Sequence, residues 1–466
     1  MKRIVMKFGG SSLEDGDKIL HVANIIESYF KSYSLIVVVS AMGKITDELL
    51  KASERAEKGD QDYIKSFTEY IKDRHIKALK ASIKREEVQK ETVKSVNELC
   101  DELYKALTGV ALLKELTPRA RDYILSFGER LSALIVGGAL IDKGLRVKVL
   151  TGGEAGIVTD SNFGEANPLM EATFYQVKER LEKLLQDNII PLITGFIAED
   201  QYGRITTLGR GGSDFTATLL AASLKANEVW IWTDVDGLMT SDPKLVSNAK
   251  VIKSVSYEEA MEMVMFGAKA MHPRAIEPAM LYKIPIVIRN TFNLEAKGTL
   301  ITDRVQVDKD RPIKMVALVK DVGMISLVGG SMVGARGTAA LAFSTLAKQG
   351  INIMMISQSV SEADISIVIK REELSKAVNS LELNMLGKGV VREINYEDDV
   401  CVLAVVGAGI KYIPGIAARV LNILAKEKVN VFMISSGSSN SLSLVIKEKD
   451  SKIALQKVHD EFELDK

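Results

Sequence analysis

The last third of the chain repeats itself, and this constrains the fold more than any other feature. Gly329, Gly337, Leu346, Ala347, Lys348, Asn352, Ile356 and Ser357 recur 78 residues later as Gly407, Gly415, Leu424, Ala425, Lys426, Asn430, Ile434 and Ser435. One residue is then lost, so that SIVIK at 366–370 returns as SLVIK at 443–447. An offset that holds across glycines, apolar positions and polar positions together requires two copies of one structural unit. Each copy reads strand, glycine turn, helix, strand, strand, helix. The first copy can finish with a strand near 390–394, whereas the second ends in a helix over 452–462. The apolar run 313–319 has no evident partner, and the economical expectation is that it completes the trailing copy, so that the two modules interlock.

The preceding three hundred residues follow another rule. The short run Ile4-Val5-Met6 stops at Lys7, and Gly9-Gly10-Ser11-Ser12 forces a tight turn. The continuous apolar run 35–39 is of the kind found in buried parallel strands. Residues 60–117 are rich in Lys and Glu, with apolar residues every three or four positions, and predict two long surface helices. Strands are expected at 145–149, 189–194, 227–233 and 285–289, with helices near 169–187, 211–225, 256–266 and 274–282. Such alternation indicates an α/β fold around a mostly parallel sheet. A charged, aperiodic stretch at 302–312 reads as a linker. The expected domains are thus 1–301 (with a helical insertion at about 60–117), 313–395 and 396–466.

Composition excludes several classes. The 466 residues hold 61 basic and 61 acidic side chains. That balance argues against a nucleic-acid-binding surface, and the length suits about three domains. Cys100 and Cys401 are the two cysteines, too few for a disulfide framework or a Cys-rich zinc site. MKRIVMKFGG lacks the apolar core of a secretory signal, and the run at 35–39 is far too short to span a membrane. The expectation is a soluble cytoplasmic protein that engages neither nucleic acid nor membrane.

Three glycine-rich segments carry the chemistry: 7–12, 209–214 and 267–269. Each adjoins an expected strand end, where open α/β sheets place ligands. Glycines let backbone N–H groups approach an anion, and a following helix N-terminus favours negative charge. Lys7 and Lys269 add charges suited to phosphate oxygens. No G-x-x-x-x-G-K-[ST] occurs, so there is no P-loop. Gly407-Ala408-Gly409 lacks the third glycine of a dinucleotide fingerprint and sits inside the repeat.

Six ordered motifs together resemble aspartate kinase, a member of the amino-acid kinase superfamily. They are KFGGSS at 7–12, VVSAMGKITDEL at 38–49, SFGERLSA at 126–133, TTLGRGGSDFTA at 206–217, WTDVDG at 232–237 and FGAKAMHP at 266–273. The repeats resemble paired ACT domains (βαββαβ), and the resemblance covers the whole chain. It implies a three-layer kinase domain followed by two ACT modules, and transfer of phosphate from ATP to the side-chain carboxylate of aspartate. With no dehydrogenase-like segment after the second repeat, a monofunctional enzyme is expected.

The resemblance also assigns roles. Lys7 and Asp214 fall on catalytic positions. Thr46, Glu129, Phe196, Thr207, Arg210 and Ser213 fall on aspartate-binding positions, with Glu129 for the α-ammonium and Arg210 for a carboxylate. Lys7, Gly9, Gly10, Gly212, Thr233, Asp234, Met239, Lys244, Lys269 and Ala270 fall on nucleotide positions. Met239 replaces a common aromatic residue, and Lys244 a common arginine. Mg²⁺ is expected on the ATP phosphates, with no protein metal cage. His272 is expected to cap a helix ahead of Pro273. SFGERLSA is read as standing before an apolar helix.

For regulation, Met332, Gly334, Gly337, Thr338, Asn352, Ile353, Met354, Gln358 and Ser359 fall on effector positions of the first module, the last five along the strand after the helix. Met354, Met355 and Met433 read as core. Met354 stands where lysine-sensing relatives often carry an aspartate, and 356–362 looks like threonine-sensing relatives. Glu362 or Asp364 could meet an ammonium, and lysine is favoured over threonine as the inhibitor. ACT pairing implies a homodimer or homotetramer. The competing readings are another amino-acid kinase and a non-catalytic amino-acid sensor.

Overall fold

The computed structural model describes residues 1–268, 270–303, 305, 311–436 and 440–466, apart from the side chain of Ser331. Lys269 and most of the expected linker (304 and 306–310) lie outside the described residues. The chain divides into two compact units. The first comprises Met1–Leu238, Lys253–Tyr257 and Ala270–Val305; the second comprises Met239–Ile252, 258–268 and the chain from 311 onward.

The strands of the first unit are β1 (Lys2–Phe8), β2 (Tyr33–Val39), β3 (Val147–Leu150), β4 (Val158–Thr159), β5 (Ile190–Thr194), β6 (Ile197–Asp200), β7 (Ile205–Thr207), β8 (Glu228–Thr233), β9 (Ser254–Ser256), β10 (Ile286–Asn290) and β11 (Thr299–Thr302). The helices met before residue 300 are α1 (Gly16–Phe30), α2 (Ile45–Glu57), α3 (Gln61–Ser82), α4 (Glu86–Leu113), α5 (Pro118–Asp142), α6 (Met170–Gln186), α7 (Gly212–Leu224), α8 (Tyr257–Met265) and α9 (Ile276–Leu281). Eight strands form one sheet in the order β3-β5-β2-β1-β8-β10-β11-β9. Neighbours from β3 through β10 are parallel. Ile4, Val5 and Met6 of β1 and 36–39 of β2 are fully buried, as central parallel strands covered on both faces must be. Because these strands run one way, β1, β2, β5, β8 and β10 all end at the same edge of the sheet.

The expected long helices are α3 and α4. Their apolar stripes, including Ile64, Phe67 and Ile71 of α3 and Val96, Leu103 and Leu107 of α4, join the same core as β1 and β2. The motif at 126–133 is not ahead of a helix but inside one. α5 begins at Pro118, capped by the Thr117 hydroxyl accepting from Ala120 N–H. It is long and apolar enough to cross a membrane, yet it is largely buried in this unit, which accounts for its apolarity. A small sheet, β4-β6-β7, is absent from the sequence reading; strands of two to four residues leave no periodicity to detect.

The second unit holds β12 (Met315–Val328), α10 (Thr338–Lys348), β13 (Met355–Gln358), β14 (Asp364–Lys370), α11 (Leu374–Leu381), β15 (Glu393–Val406), α12 (Gly409–Tyr412), α13 (Ile416–Lys426), β16 (Val431–Ser436), β17 (Ser441–Lys447) and α14 (Ser451–Glu461). Its sheet is antiparallel, in the order β13-β14-β12-β15-β17-β16. Two strands of fourteen residues make the interlock. The first half of β12, Met315–Val319, pairs with Val402–Val406 of β15, which also pairs with β17 of the second repeat. The second half, from Val322, pairs with β14 of the first repeat and with the first half of β15. The register shifts between Val319 and Val322, where Asp321 adopts a left-handed φ of 58°. Gly337 and Gly415 precede α10 and α13 with the same φ of 91°, so the repeat in sequence is a repeat in backbone. Met355 and Met433 are buried between the two repeats. Met354 is not core: it is 40 % exposed.

Segments 239–252 and 258–268 pack with the repeats. Val246 lies in the core of the second repeat. Thr240 accepts at its carbonyl from Val316 N–H and bonds the buried His459 Nε2 through its hydroxyl at 3.0 Å. Glu259, 1 % exposed, pairs with Lys314 Nζ at 2.7 Å and accepts from Ala408 N–H at 2.8 Å.

Candidate active site

The shared C-terminal edge of the parallel strands carries Lys7 near the end of β1, Gly9 and Gly10 beyond it, and Thr233, the last residue of β8. Beyond β1, Gly9 N–H donates to the carbonyl of Trp232 in β8, and Gly43 N–H donates to the carbonyl of Gly10. A Cβ on Gly10 would stand 2.7 Å from the Gly43 carbonyl oxygen, so the loops after β1 and β2 touch because this residue has no side chain. A Cβ on Gly9 would stand 3.5 Å from Lys7 Nζ.

α7 begins at Gly212, and Gly211 ahead of it has φ 72°; a Cβ there would collide with the ring of His272. Asp214 occupies the first turn of this helix, where the dipole favours an anion. Its Oδ1 lies 2.6 Å from Lys7 Nζ, and both side chains are about nine-tenths buried. This ion pair joins the end of β1 to the start of α7. Together with the Gly9-Gly10 turn it forms an anion-binding surface of backbone donors and one ammonium.

Glu129 lies within α5 and is 3 % exposed. A Cβ on Gly128 would stand 2.9 Å from Ala41 Cβ; that close approach brings Glu129 Oε1 to 3.1 Å from Ala41 N–H, which donates to it. Oε2 is buried without a hydrogen-bond partner. Burial pushes the carboxyl up to about 8, against the opposing pull of the Ala41 N–H, its own backbone N–H and the Lys7 ammonium. Glu129 therefore feels Lys7, and a cationic group reaching Oε2 would satisfy both its charge and its lone pairs.

The remaining aspartate-position residues divide. Phe196 takes a left-handed φ of 67°, with its N–H donating to the Thr216 hydroxyl on α7. A Cβ on Gly195 would stand 2.5 Å from Ser213 Cβ, so the end of β5 and the start of α7 are pressed together. Thr207 is buried at the end of β7. Thr46 is half-buried in the first turn of α2, and Arg210 is exposed. His272 caps the short turn Pro273–Ala275, its Nδ1 accepting from Arg274 N–H. Burial lowers its pKa, while Asp214 raises it and Arg210 and Arg274 lower it; Asp214, Arg210 and His272 thus share one neighbourhood.

Of the nucleotide positions, Thr233 ends β8 and Asp234 follows it, and the Thr233 hydroxyl donates to Asp234 Oδ1 at 3.2 Å. Ala270 belongs to the first unit and is half-buried. Met239 and Lys244 belong to the second unit: Met239 bridges to Val251, and Lys244 is exposed. In the first repeat, Asn352, Ile353 and Met354 precede β13 and do not lie in it, although Met354 N–H donates to the Val368 carbonyl. Gln358 ends β13 and Ser359 follows it. Met332 is buried and Thr338 opens α10. Gly334 has φ 67°, and its N–H donates to Glu362 Oε2 at 2.9 Å.

Two acids escaped the sequence reading. Asp236 accepts from the side-chain amides of Asn290 and Asn293, tying the loop after β8 to the loop after β10. Asp122, fully buried on α5, accepts from Gly164 N–H and from Thr207. The one available signal was spacing, since Asp122 stands seven residues before Glu129 and so shares its helix face.

Comparison with known proteins identifies the family. The family model described as the amino acid kinase family matches residues 2–290, and that of the ACT domain matches 325–384 and 403–462. Aspartokinase 1, chloroplastic, of Arabidopsis thaliana is 32% identical over 98% of this chain and 80% of its own length. Bifunctional aspartokinase/homoserine dehydrogenase 1 of the same plant is 33% identical, and the chain spans 51% of it; the chain covers about half the length of such bifunctional relatives. Among solved structures, E. coli aspartokinase III with aspartate and ADP matches at TM-score 0.81 and 27% identity, over 99% of both chains. The same enzyme with lysine and aspartate matches at TM-score 0.82 and 28% identity, over 99% of this chain and 100% of that one. The chain belongs to the aspartokinases of the amino acid kinase family.

Proposed function

We propose that this chain transfers the terminal phosphoryl group of ATP to the side-chain carboxylate of L-aspartate, giving 4-phospho-L-aspartate and ADP, at the head of aspartate-family amino-acid biosynthesis. The observation that carries this reading is the Lys7–Asp214 ion pair on the same sheet edge as the buried, half-satisfied Glu129. The nucleophile is already ionised at neutral pH, so the protein needs no general base. Its task is to bring two anions together in line and to neutralise charge on the transferring group. In this reading Lys7 meets the transferring phosphoryl group, Asp214 orients Lys7, and Gly9, Gly10 and Gly212 offer backbone donors. Glu129 takes the α-ammonium of aspartate, and Arg210 grips a carboxylate in bidentate fashion. Thr233, Asp234, Met239, Lys244, Lys269 and Ala270 serve the nucleotide, and Mg²⁺ travels on the ATP phosphates.

The ACT pair supports feedback control, with lysine as the inhibitor of choice. E. coli aspartokinase III has been crystallised with lysine, and Glu362 stands at the glycine turn of the first module. Homodimers or homotetramers built through the ACT modules complete the proposal. The deciding experiment incubates the protein with ATP, Mg²⁺ and aspartate and traps the acyl phosphate with hydroxylamine. Hydroxamate formed from aspartate but not glutamate supports this reading. Turnover of glutamate alone would make it another amino-acid kinase, and no turnover with effector binding retained would make it a sensor.

A further inference from the structure

The stretch 207–214 ends β7, opens α7 and carries Asp214, and it is walled on two sides. On one side stands the 164–167 loop, where Ala166 N–H donates to the Thr207 carbonyl at 2.9 Å. On the other stands the turn at 272–274, where a Cβ on Gly211 would lie 2.1 Å from His272 Cβ. Arg274 crosses between the walls. Its Nη1 donates to the Leu208 carbonyl at 3.1 Å, and its Nη2 donates to the Ala166 carbonyl at 3.3 Å and to Asn167 Oδ1 at 2.9 Å. The guanidinium also lies over the ring of Phe215, 4.9 Å from the centroid.

These contacts use what is particular to arginine. All three acceptors are neutral oxygens, so what the bonds fix is the course of the chain. Asn167 is itself held, because its N–H and its side-chain amide donate to the two oxygens of Asp160 at 3.0 and 3.1 Å. A planar fork bonds in two directions while its face stacks on a ring, and an ammonium on a flexible stem cannot do both.

Phe215 is the link to the reaction. It is buried and directly follows Asp214 in the first turn of α7, and its N–H donates to the Gly211 carbonyl at 3.1 Å. That turn is thus gripped at Leu208, Gly211 and Phe215, and from inside it Asp214 Oδ1 meets Lys7 Nζ. We infer that Arg274 is a positioning residue for phosphoryl transfer: by holding the Leu208 carbonyl and the Phe215 ring it fixes the first turn of α7, and so the place at which Asp214 holds the Lys7 ammonium. This rests on the proposed aspartate kinase activity and on Lys7 as the cation that meets the transferring group.

Steady-state kinetics of the full chain would be measured for Arg274→Ala, Arg274→Lys, Asp214→Asn and the Arg274→Ala/Asp214→Asn double variant. Expected in Arg274→Ala is a kcat lowered roughly tenfold or more, since a displacement on the order of 1 Å in a reacting group costs about a hundredfold, with ATP KM within about threefold. Arg274→Lys should recover little of the loss, because one ammonium cannot span both bonding directions. Guanidinium chloride at low millimolar concentration should restore part of the kcat of Arg274→Ala, which would support the assignment. The double variant should be little slower than Asp214→Asn alone, since Arg274 acts through Asp214. If Arg274→Ala does not fold, Arg274→Lys and its combination with Asp214→Asn decide by the same criteria. A kcat within about twofold of the parent in Arg274→Ala, full activity in Arg274→Lys, or losses that multiply in the double variant would overturn the assignment. Failure of the parent protein to form aspartyl hydroxamate would refute the activity itself, a result separable from these.

Discussion

Lys7 Nζ and Asp214 Oδ1 lie 2.6 Å apart with both side chains about nine-tenths buried, and the pair joins the central strand to the first turn of α7. A lysine so held has its ammonium aimed by the fold before any ligand arrives, which is the condition for electrostatic catalysis without reorganisation. Lys7→Ala should lower kcat by at least about a hundredfold, roughly 3 kcal/mol of transition-state stabilisation, with a much smaller change in aspartate KM. Asp214→Asn should act in the same direction by loosening the lysine. A Lys7→Ala enzyme that keeps most of its kcat would show the lysine in another role.

Glu129 makes a prediction about pH. Burial raises its carboxyl from 4.5 to about 8. Because the folded value is the higher one, its contribution to stability is full below about 4.5 and is lost as pH rises through about 8. The protein without substrate should therefore lose stability from pH 6 to pH 9, and Glu129→Gln should flatten that part of the profile. Binding an ammonium needs the ionised form, so aspartate binding should release a proton below pH 8. Aspartate KM should then fall by about tenfold per unit between pH 6 and pH 7.5, with ATP KM nearly constant. Titration calorimetry in buffers of different ionisation enthalpy measures the proton directly; no proton release at pH 6.5 would remove Glu129 from the ammonium site.

The legible parts of this chain are those whose chemistry repeats locally. Apolar runs marked β1 and β2, glycines marked the turns beyond them, and a constant offset marked the two modules. The interlock was readable because 313–319 had no other partner. What escaped were partners distant in sequence. Asp122 meets Thr207 85 residues away, and Glu259 meets Ala408 149 residues away; neither acid differs in its local sequence from a solvated one. The attachment of 239–252 and 258–268 to the repeats was hidden for the same reason, since Thr240, Val246 and Glu259 find their partners only in the folded unit. The strands β4, β6 and β7 were too short to leave a pattern.

The effector prediction turns on the glycine turn of the first module. Gly334 N–H is held by Glu362, whose own φ is 56°. Lysine is expected to inhibit, and Glu362→Ala should raise the concentration needed for half-inhibition roughly tenfold while basal kcat stays the same. Inhibition curves for lysine, threonine and the two together provide the check. Inhibition by threonine alone would remove lysine but keep control through the modules, whereas insensitivity to every amino acid would remove both.

The interlocked sheet predicts which pieces of this chain fold. Met315–Val319 covers one side of Val402–Val406, and β17 covers the other. A fragment beginning at residue 323 lacks Met315–Val319 together with Ile313 and Val316 from the core of the second repeat. The lost side chains include Met315, Val316 and Ile313, all at most 3 % exposed. Burial of such side chains contributes roughly 1.5–3 kcal/mol each, comparable in sum to the whole stability of a domain, and the fragment would also bare a long apolar sheet edge. Fragment 323–466 is expected to aggregate or to give poorly dispersed NMR spectra, while a fragment beginning at 311 should fold better. Well-dispersed spectra from 323–466 would mean that the second repeat does not depend on the leading strand, and the two modules would then be separable units.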